Sequence, residues 1–174
     1  TAFALGPGLG TEAEARALVE EVARLARMPL LLDADALQPS VLAATTGERV
    51  VLTPHEGEFE RINHGAELHA FCKKTGMVVA LKGSTTRICD AEGAVYHSFF
   101  GGPVLARGGS GDLLAGLIGG LLAQTPAEPL LAAARGVAWH GLAADALARA
   151  HGQVAVQTTQ LLDFLPGALR EIDA

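Results

Sequence analysis

Short, uninterrupted apolar runs alternate along this chain with segments of helical periodicity, and this alternation constrains the fold more than any other feature. The runs fall at residues 1–5, 30–32, 49–52 and 77–81. Strands that are apolar on both faces are typical of a parallel sheet covered by helices on each side. The sequence therefore predicts an α/β fold with three α/β/α layers and a mainly parallel central sheet.

The periodic segments between these runs predict the helices. Thr11 and Glu14 have the spacing of a capping box, which places the start of the first helix at Thr11. Thr159 is expected to cap the last helix, and Pro166 is expected to break it. Other helices are predicted at residues 58–62, 65–75, 112–123 and 130–150.

Glycine marks a turn and a helix surface. Residues 86–89 and 95–99 are separated by Glu92-Gly93, which predicts a β-hairpin. A glycine inside a helix costs about 1 kcal/mol relative to alanine. We expect close packing against a neighbouring strand or helix at the three glycines inside the predicted helix 112–123, Gly116, Gly119 and Gly120.

Length and composition exclude several classes of protein. The 174 residues fit one domain, and 49% of them are apolar, which is enough for a sizeable core. A net charge of −6 without a basic patch excludes nucleic acid as a partner. No run reaches the ~18 apolar residues that a membrane span requires. Cys72 and Cys89 are too few for a disulfide scaffold and predict reduced thiols in a cytoplasmic protein.

Four loops that follow the predicted parallel strands carry most of the polar residues suited to chemistry. They are residues 6–10, 33–35, 53–58 and 82–86. In open α/β sheets, ligands bind outside the carboxyl ends of the strands. We therefore expect these loops to lie along one edge of the sheet.

The run Gly108-Gly109-Ser110-Gly111-Asp112 opens an apolar helix and is the strongest single indication of function. Free N–H groups at a helix start, on glycines that allow close approach, form an anion hole. We predict that Gly109, Ser110 and Gly111 form this hole and that Asp112 accepts a proton from a substrate hydroxyl. A glycine-rich turn with Asp112 as the N-cap is the structural alternative.

Two further loops offer groups for a nucleotide and a cation. His55 and Glu58 are three residues apart after the strand at residues 49–52, so they can share one helix face. Glu58 is predicted to hold Mg²⁺ through water, and His55 to hydrogen-bond a substrate amide or phosphate. A capped, acidic helix start is the alternative. Lys82 and residues 83–86 suit a nucleotide phosphate, or form a solvated surface turn.

The first glycine loop matches a dinucleotide fingerprint. Residues 8–13 read G-x-G-x-x-A after a predicted strand, and Asp33 ends the next strand. A Rossmann dehydrogenase would use both features but would leave Asp112 without a role. The P-loop GxxxxGK[ST] is absent from the sequence, which excludes a Walker-type NTPase. Asp33 and Asp35 can also bind a cation or cap a helix.

Five motifs, in order, give the chain a resemblance to a known family. They are GPGLG at residues 6–10, DADAL at 33–37, LTPHEGE at 52–58, LKGSTT at 81–86 and GSGD at 109–112. The series resembles the YjeF carboxy-terminal domain family, the ADP- or ATP-dependent NAD(P)H-hydrate dehydratases of the ribokinase-like superfamily. The resemblance covers nearly the whole chain and implies a ribokinase-like fold in one catalytic domain, residues 1–174.

The resemblance also implies an activity. The family dehydrates the S form of hydrated NADH or NADPH (NADHX, NADPHX) by phosphorylating the C6 hydroxyl with ADP or ATP and releasing phosphate. Asp112 would be the base, and Gly8, Gly10, His55 and Asp112 would contact the hydrated dinucleotide. Glu58 would lie near Mg²⁺. The residues implied to bind the nucleotide are Lys82, Gly83, Ser84, Thr85, Thr86 and Gly111.

The chain departs from the family pattern in four places. The portion that precedes GPGLG in the family is missing, and the first residue is Thr1, so we expect a chain that lacks its N-terminal portion. The stretch at residues 62–70 is short, and residues 101–107 lack the usual Asn and final Thr. The epimerase domain often fused in the family is absent. A homo-oligomer and partnership with an NAD(P)HX epimerase are further expectations.

Two alternatives differ from the dehydratase in chemistry. A vitamin-precursor kinase of the same superfamily would use Asp112 and the anion hole and then release a phosphorylated product. An inactive nucleotide-binding module would bind nucleotide without releasing phosphate. His55 followed by Gly57-Glu58, in place of the Asn-led version of the kinases, favours the dehydratase.

Overall fold

A six-stranded sheet lies at the centre of the computed structural model, which describes residues 1–45 and 47–172. The strands follow chain order across the sheet. The first four are parallel, the fifth is antiparallel to the fourth, and the fifth and sixth form the predicted antiparallel hairpin. The strands are β1 (Phe3–Leu5), β2 (Leu30–Leu32), β3 (Val50–Leu52), β4 (Val78–Leu81), β5 (Thr86–Cys89) and β6 (Val95–Ser98).

Seven α-helices and four short 3₁₀ turns lie between and after the strands in the described part of the chain. One turn, Ala34–Ala36, follows β2 directly, and another, Gly102–Leu105, precedes the glycine-rich run. The α-helices are α1 (Ala13–Leu25), α2 (Pro39–Ala44), α3 (Glu56–Ile62), α4 (Leu68–Thr75), α5 (Ser110–Gln124), α6 (Pro129–His151) and α7 (Leu161–Ile172).

The two faces of the sheet are buried against different helices. In β2, Leu30 and Leu32 belong to the core formed with α1 to α4, whereas Leu31 belongs to the core formed with α5 and α6. Successive side chains of a strand point to opposite faces, so three consecutive leucines are buried on both sides. The three predicted layers are confirmed, and α7 packs against α6 in a further cluster.

Three predicted helix boundaries are wrong. α4 begins at Leu68 rather than at residue 65, since Gly65 has φ +79°, outside the range of a right-handed helix. α1 begins at Ala13 rather than at Thr11, and its N-cap, Glu12, makes no side-chain capping bond. The amide of Gly10 instead donates to the Asp35 carboxylate, which holds this loop away from helical geometry. The predicted cap Thr159 lies inside the 3₁₀ turn Thr158–Gln160 that precedes α7.

The predicted break at Pro166 is also wrong, because α7 runs through this residue. Buried Leu161 and Ala168 anchor the helix on either side of the proline. The indole of Trp139 donates to the Leu165 carbonyl at 2.7 Å, directly before the proline. Tertiary packing therefore outweighs the cost of the backbone hydrogen bond that proline removes.

Two of the three glycines inside α5 do not make the close packing contacts that were predicted for them. Gly116 and Gly120 are exposed, and a Cβ on either would meet no atom within 4 Å. Only Gly119 is as close as predicted, since a Cβ there would lie 3.4 Å from Ala4 Cβ. The tight helix contact instead involves Gly136 of α6, where a Cβ would lie 2.5 Å from Ile118 Cγ1.

None of the described helices combines the length and the apolar character that crossing a membrane requires.

Candidate nucleotide and substrate site

The four polar loops lie along one edge of the sheet, as predicted. Gly10 N–H, after β1, donates to Asp35 Oδ2, after β2, at 2.9 Å. Lys82 N–H, after β4, donates to the Pro54 carbonyl, after β3, at 2.7 Å. Parallel strands bring these loops together because their carboxyl ends share one edge.

The first two loops are in such close contact that a side chain would not fit between them. Gly6 has φ +131°, and a Cβ there would collide with the Asp33 carbonyl. Ala34 adopts φ +47°, which is uncommon for a residue with a side chain. This strained alanine separates Asp33 and Asp35, whose carboxylates bind two different loops.

A buried ion pair lies at the centre of this edge. Asp33 is 1% exposed, and its Oδ1 accepts a hydrogen bond from Lys82 Nζ at 2.8 Å. Lys82 Nζ also lies 3.9 Å from Glu58 Oε2. A buried carboxylate requires such a partner. The ion pair thus fixes the lysine that was predicted to bind a nucleotide.

His55 and Glu58 cap α3 reciprocally. Glu58 N–H donates to His55 Nδ1 at 3.2 Å, and His55 N–H donates to Glu58 Oε2 at 2.8 Å. Glu58 is buried, whereas His55 is exposed. The motif is therefore a capped, acidic helix start, the alternative named above, and this cap leaves the His55 ring accessible to a ligand.

The N-terminus of α5 points to the same ion pair. Gly109 adopts φ +84°, a conformation that favours glycine, and the helix begins at buried Ser110. A Cβ on Gly111 would lie 3.3 Å from Lys82 Nζ and 3.7 Å from Asp33 Oδ2. The predicted anion hole is wrong at Ser110, whose N–H donates to the Arg107 carbonyl at 3.2 Å in the first turn. Within the described residues, the N–H groups of Gly109 and Gly111 remain free beside the lysine ammonium, an arrangement suited to an anion.

Asp112 lies in the first turn of α5, as predicted, and its side chain is exposed. Within residues 1–45 and 47–172 it has neither a hydrogen bond nor an ion-pair partner. A carboxylate in this state is available to a substrate hydroxyl. The structural alternative, in which Asp112 is the N-cap, is wrong because Gly109 occupies that position.

A pocket of about 640 Å³ opens beside the helix start. The Lys82 loop and the start of α5 contribute its polar lining, and the apolar lining includes Leu114, Val137, Phe100, Pro103, Leu105 and Ala106. A volume of this size holds a small-molecule ligand. Of the predicted site residues, those that line the pocket are His55, Lys82, Gly83, Ser84, Thr86, Ser110 and Gly111.

Six predicted site residues lie outside the pocket lining. Asp112 and Gly109 lie at the start of α5, and Gly10 lies near Asp35. The predicted site is therefore divided between this pocket and the glycine loop after β1. The six residues are Gly8, Gly10, Glu58, Thr85, Gly109 and Asp112.

Sequence reasoning missed His140, which lines the pocket from α6. It is 4% exposed, and its Nε2 lies 3.3 Å from Ser110 Oγ. Burial lowers the pKa of this imidazole to about 4, and the nearby Lys82 charge acts in the same direction. Its spacing from buried Ala133, Val137 and Ala144 places it on the inward face of α6, a signal readable from the sequence.

α6 also positions the pocket wall that departs from the family pattern. Gly101 N–H donates to Asp145 Oδ1 at 3.0 Å. A Cβ on Gly141 would lie 2.5 Å from Phe100 Cβ, so the wall rests directly on the helix backbone. The atypical segment is thus held by specific contacts.

The donor set suits a hydrated cation better than a directly bound one. The described residues contain no group of three or more His, Cys, Asp or Glu able to hold a metal ion. Glu58 already accepts the His55 amide and reaches His55 Nε2 at 3.4 Å. A carboxylate engaged in this way would contact Mg²⁺ through water, as predicted for Glu58.

Comparison with known proteins identifies the family. The model of the NAD(P)H-hydrate dehydratase family matches residues 1–167. The chain belongs to the NAD(P)H-hydrate dehydratase family. The predicted resemblance is confirmed by this match.

Two relatives of the family have informative names. The bifunctional NAD(P)H-hydrate repair enzyme Nnr of Moorella thermoacetica is 38% identical over 98% of this chain and 35% of its own length. The ADP-dependent (S)-NAD(P)H-hydrate dehydratase of Xanthomonas campestris is 36% identical over 97% of this chain and 61% of its own length. This chain therefore spans about a third of the first relative and less than two thirds of the second.

Solved structures confirm the fold. An ADP/ATP-dependent NAD(P)H-hydrate dehydratase from Bacillus subtilis, co-crystallised with ATP/Mg²⁺, superposes with TM-score 0.85 at 32% identity, covering 98% of this chain and 66% of that one. A ribokinase-like superfamily protein from Enterococcus faecalis superposes with TM-score 0.85 at 31% identity, covering 98% and 63%. The ribokinase-like α/β fold predicted from the sequence is confirmed.

Proposed function

We propose that this chain carries the site for ADP- or ATP-dependent dehydration of the S form of hydrated NADH or NADPH. One observation carries the proposal: Lys82, fixed by Asp33, and the N–H groups at the start of α5 converge beside a pocket of about 640 Å³. Such convergence suits the terminal phosphate of a nucleotide. Family membership supplies the substrate class.

In the proposed reaction, two steps remove the hydroxyl as phosphate. Asp112 takes the proton of the C6 hydroxyl, and the oxygen attacks the terminal phosphorus of ADP, so that AMP leaves. The C6–O bond then breaks, inorganic phosphate departs, and the neighbouring ring carbon loses a proton to form the double bond. The amides of Gly109 and Gly111 stabilise charge on the phosphoryl group, whereas the Ser110 amide is already bonded to the Arg107 carbonyl.

The remaining predicted residues divide between the two ligands. The nucleotide contacts Lys82, Gly111 and residues 83–86, of which all but Thr85 line the pocket. The hydrated dinucleotide contacts Gly8, Gly10 and exposed His55. Mg²⁺ neutralises phosphate charge when bound, and Glu58 would reach it through water.

The wider setting of the protein also belongs to the proposal. The bifunctional names of the Nnr relatives support a functional partnership with an NAD(P)HX epimerase. We place the protein in the cytoplasm, as a homo-oligomer, and residues 1–174 within one catalytic domain. Buried, reduced Cys72 and Cys89 accord with the cytoplasm.

The test is recovery of NADH from enzymatically hydrated NADH, followed at 340 nm with ADP and Mg²⁺. Asp112→Asn keeps the shape of the side chain but removes the base, so we expect at least a ~100-fold loss of rate. Asp163→Asn is the matched control, because Asp163 is an exposed acid in the first turn of α7. The control should recover NADH at the wild-type rate.

The outcomes separate the alternatives. Recovery that requires nucleotide and is lost only in Asp112→Asn supports the dehydratase. ADP binding without recovery would reject this activity and favour a kinase, which a screen for phosphorylated products would then identify. Nucleotide binding with neither product would indicate an inactive binding module.

A further inference from the structure

His140 is a buried polar residue of α6 to which the proposed reaction gives no role. Its side chain is 4% exposed and lies at the junction of the pocket and the start of α5. Within the described part of the chain, Ser110 is its only side-chain hydrogen-bond partner, with Nε2 3.3 Å from Oγ. Burial lowers the pKa of this imidazole, and a backbone hydrogen bond of Ser110 acts against burial and raises it, so both polar contacts of His140 are with one residue.

Ser110 is the side chain at which such control would matter. It is the first residue of α5 and is 3% exposed, while its main-chain N–H donates to the Arg107 carbonyl at 3.2 Å. The hydroxyl has one proton and rotates freely unless a partner fixes it. Ser110 lines the pocket next to Gly111 and Lys82, so the direction of this hydroxyl affects what an incoming phosphate meets.

Two glycines set the distance between His140 and Ser110. Gly136, one turn before His140, lets α6 lie against Ile118 of α5, since a Cβ there would lie 2.5 Å from Ile118 Cγ1. Gly141, directly after His140, lies against Phe100 of the pocket wall. The histidine therefore lies between two close contacts of the α6 backbone, one of which is with α5.

The charge state of His140 suits a hydrogen-bonding role. Burial lowers its pKa to about 4, so the imidazole is neutral at neutral pH. A neutral imidazole has one N–H donor and one acceptor nitrogen. It can orient a hydroxyl without adding charge beside Lys82.

We propose that His140 is a positioning residue, which fixes the Ser110 hydroxyl at the start of α5 so that this hydroxyl and the adjacent amides receive the nucleotide phosphate together. This inference rests on the proposed nucleotide-binding function. It assigns His140 no contact with the reacting atoms. Removing the imidazole should weaken nucleotide binding only through Ser110.

The test is a double-mutant cycle on ADP affinity, measured by calorimetry with Mg²⁺ and without the hydrated dinucleotide. We expect His140→Leu and Ser110→Ala each to weaken ADP binding about 3- to 10-fold, the size of one hydrogen bond. The double variant should be no weaker than the worse single variant, because both changes remove one interaction. Thermal unfolding and circular dichroism establish that each variant is folded.

Conservative and matched variants separate positioning from packing. His140→Gln retains an amide near the position of Nε2, so it should restore ADP affinity to within about twofold of wild type. His151→Gln makes the same substitution at an exposed histidine of the same helix and should leave ADP affinity unchanged. A separate ¹⁵N spectrum of the imidazoles should show a shift of the His140 signal in Ser110→Ala.

Each outcome decides something. Additive losses, or His140→Leu with wild-type affinity, would overturn the positioning role while leaving the proposed function intact. Failure of His140→Gln to restore affinity would also overturn it. If the wild-type chain binds no ADP, the proposed function fails together with this inference, whereas the spectrum still reports whether the hydrogen bond exists.

Discussion

Lys82 is the residue on which most of the candidate site depends. It pairs with buried Asp33 at 2.8 Å and lies 3.9 Å from Glu58, while Gly111 leaves room for its ammonium group. The sequence predicted a lysine suited to phosphate, but it did not predict that Asp33 would be its partner. The two residues are 49 positions apart, and only the parallel pairing of the strands brings them together.

Replacement of Lys82 should destabilise the fold as well as the site. In Lys82→Met, the buried Asp33 carboxylate loses its cation, and we expect the free energy of unfolding to fall by about 3 kcal/mol. Urea titration at pH 7 measures this change. Asp33→Asn added to Lys82→Met should recover at least half of it, and Lys73→Met, at an exposed lysine of α4, serves as the control. If Lys82→Met and Lys73→Met lowered the free energy of unfolding by the same amount, the prediction would be contradicted.

His140 should make stability depend on pH. Burial lowers its pKa to about 4, whereas an unfolded histidine titrates near ~6.5. Between these values the unfolded chain binds a proton that the folded chain does not, so stability rises with pH and is lost as the pH falls. We expect wild type to lose about 2 kcal/mol more than His140→Gln between pH 7 and pH 5. Equal losses in urea titrations of the two proteins would refute this.

At the scale of elements, the sequence predicted the parallel strands, the hairpin and the long helices, because their apolar patterns are local. It did not predict which helix surfaces touch. The glycines of α5 were expected to allow close packing, yet the tight contacts come from Gly136 and Gly141 of α6. Likewise, Pro166 is tolerated in α7 because Leu161 and Ala168 pack on either side of it. These outcomes depend on tertiary contacts that no single segment encodes.

Substitution of the glycines in α5 and α6 should therefore have opposite effects. Gly116→Ala places a methyl group in open space, so we expect a gain of about 1 kcal/mol from helix propensity. Gly136→Ala drives a methyl group into Ile118 and should cost about 1–3 kcal/mol. Thermal and urea unfolding of the two variants measures the expected gain and the expected loss in the free energy of unfolding. A destabilised Gly116→Ala would mean that α5 has a partner on this face.

At the scale of the whole molecule, the two faces of the sheet support different parts of the site. The core formed with α1 to α4 supports the loops that hold Asp33, His55 and Lys82, and the core formed with α5 and α6 supports Ser110 and His140. The site lies at the edge where both cores end. Its geometry therefore depends on the integrity of the entire fold, which short motifs do not reveal.

Labelling of the two cysteines can measure how often the whole fold opens. Cys72 and Cys89 are fully buried where α4 meets β5, and Cys72 Sγ lies 3.5 Å from the Cys89 carbonyl. Burial raises the pKa of both thiols, so neither is a reactive thiolate in the folded chain. We expect a thiol reagent to label both at one rate, equal to that of global unfolding, and saturating ADP to slow labelling because it binds only the folded state. Rapid labelling of one thiol without denaturant would show instead that α4 opens independently of the sheet.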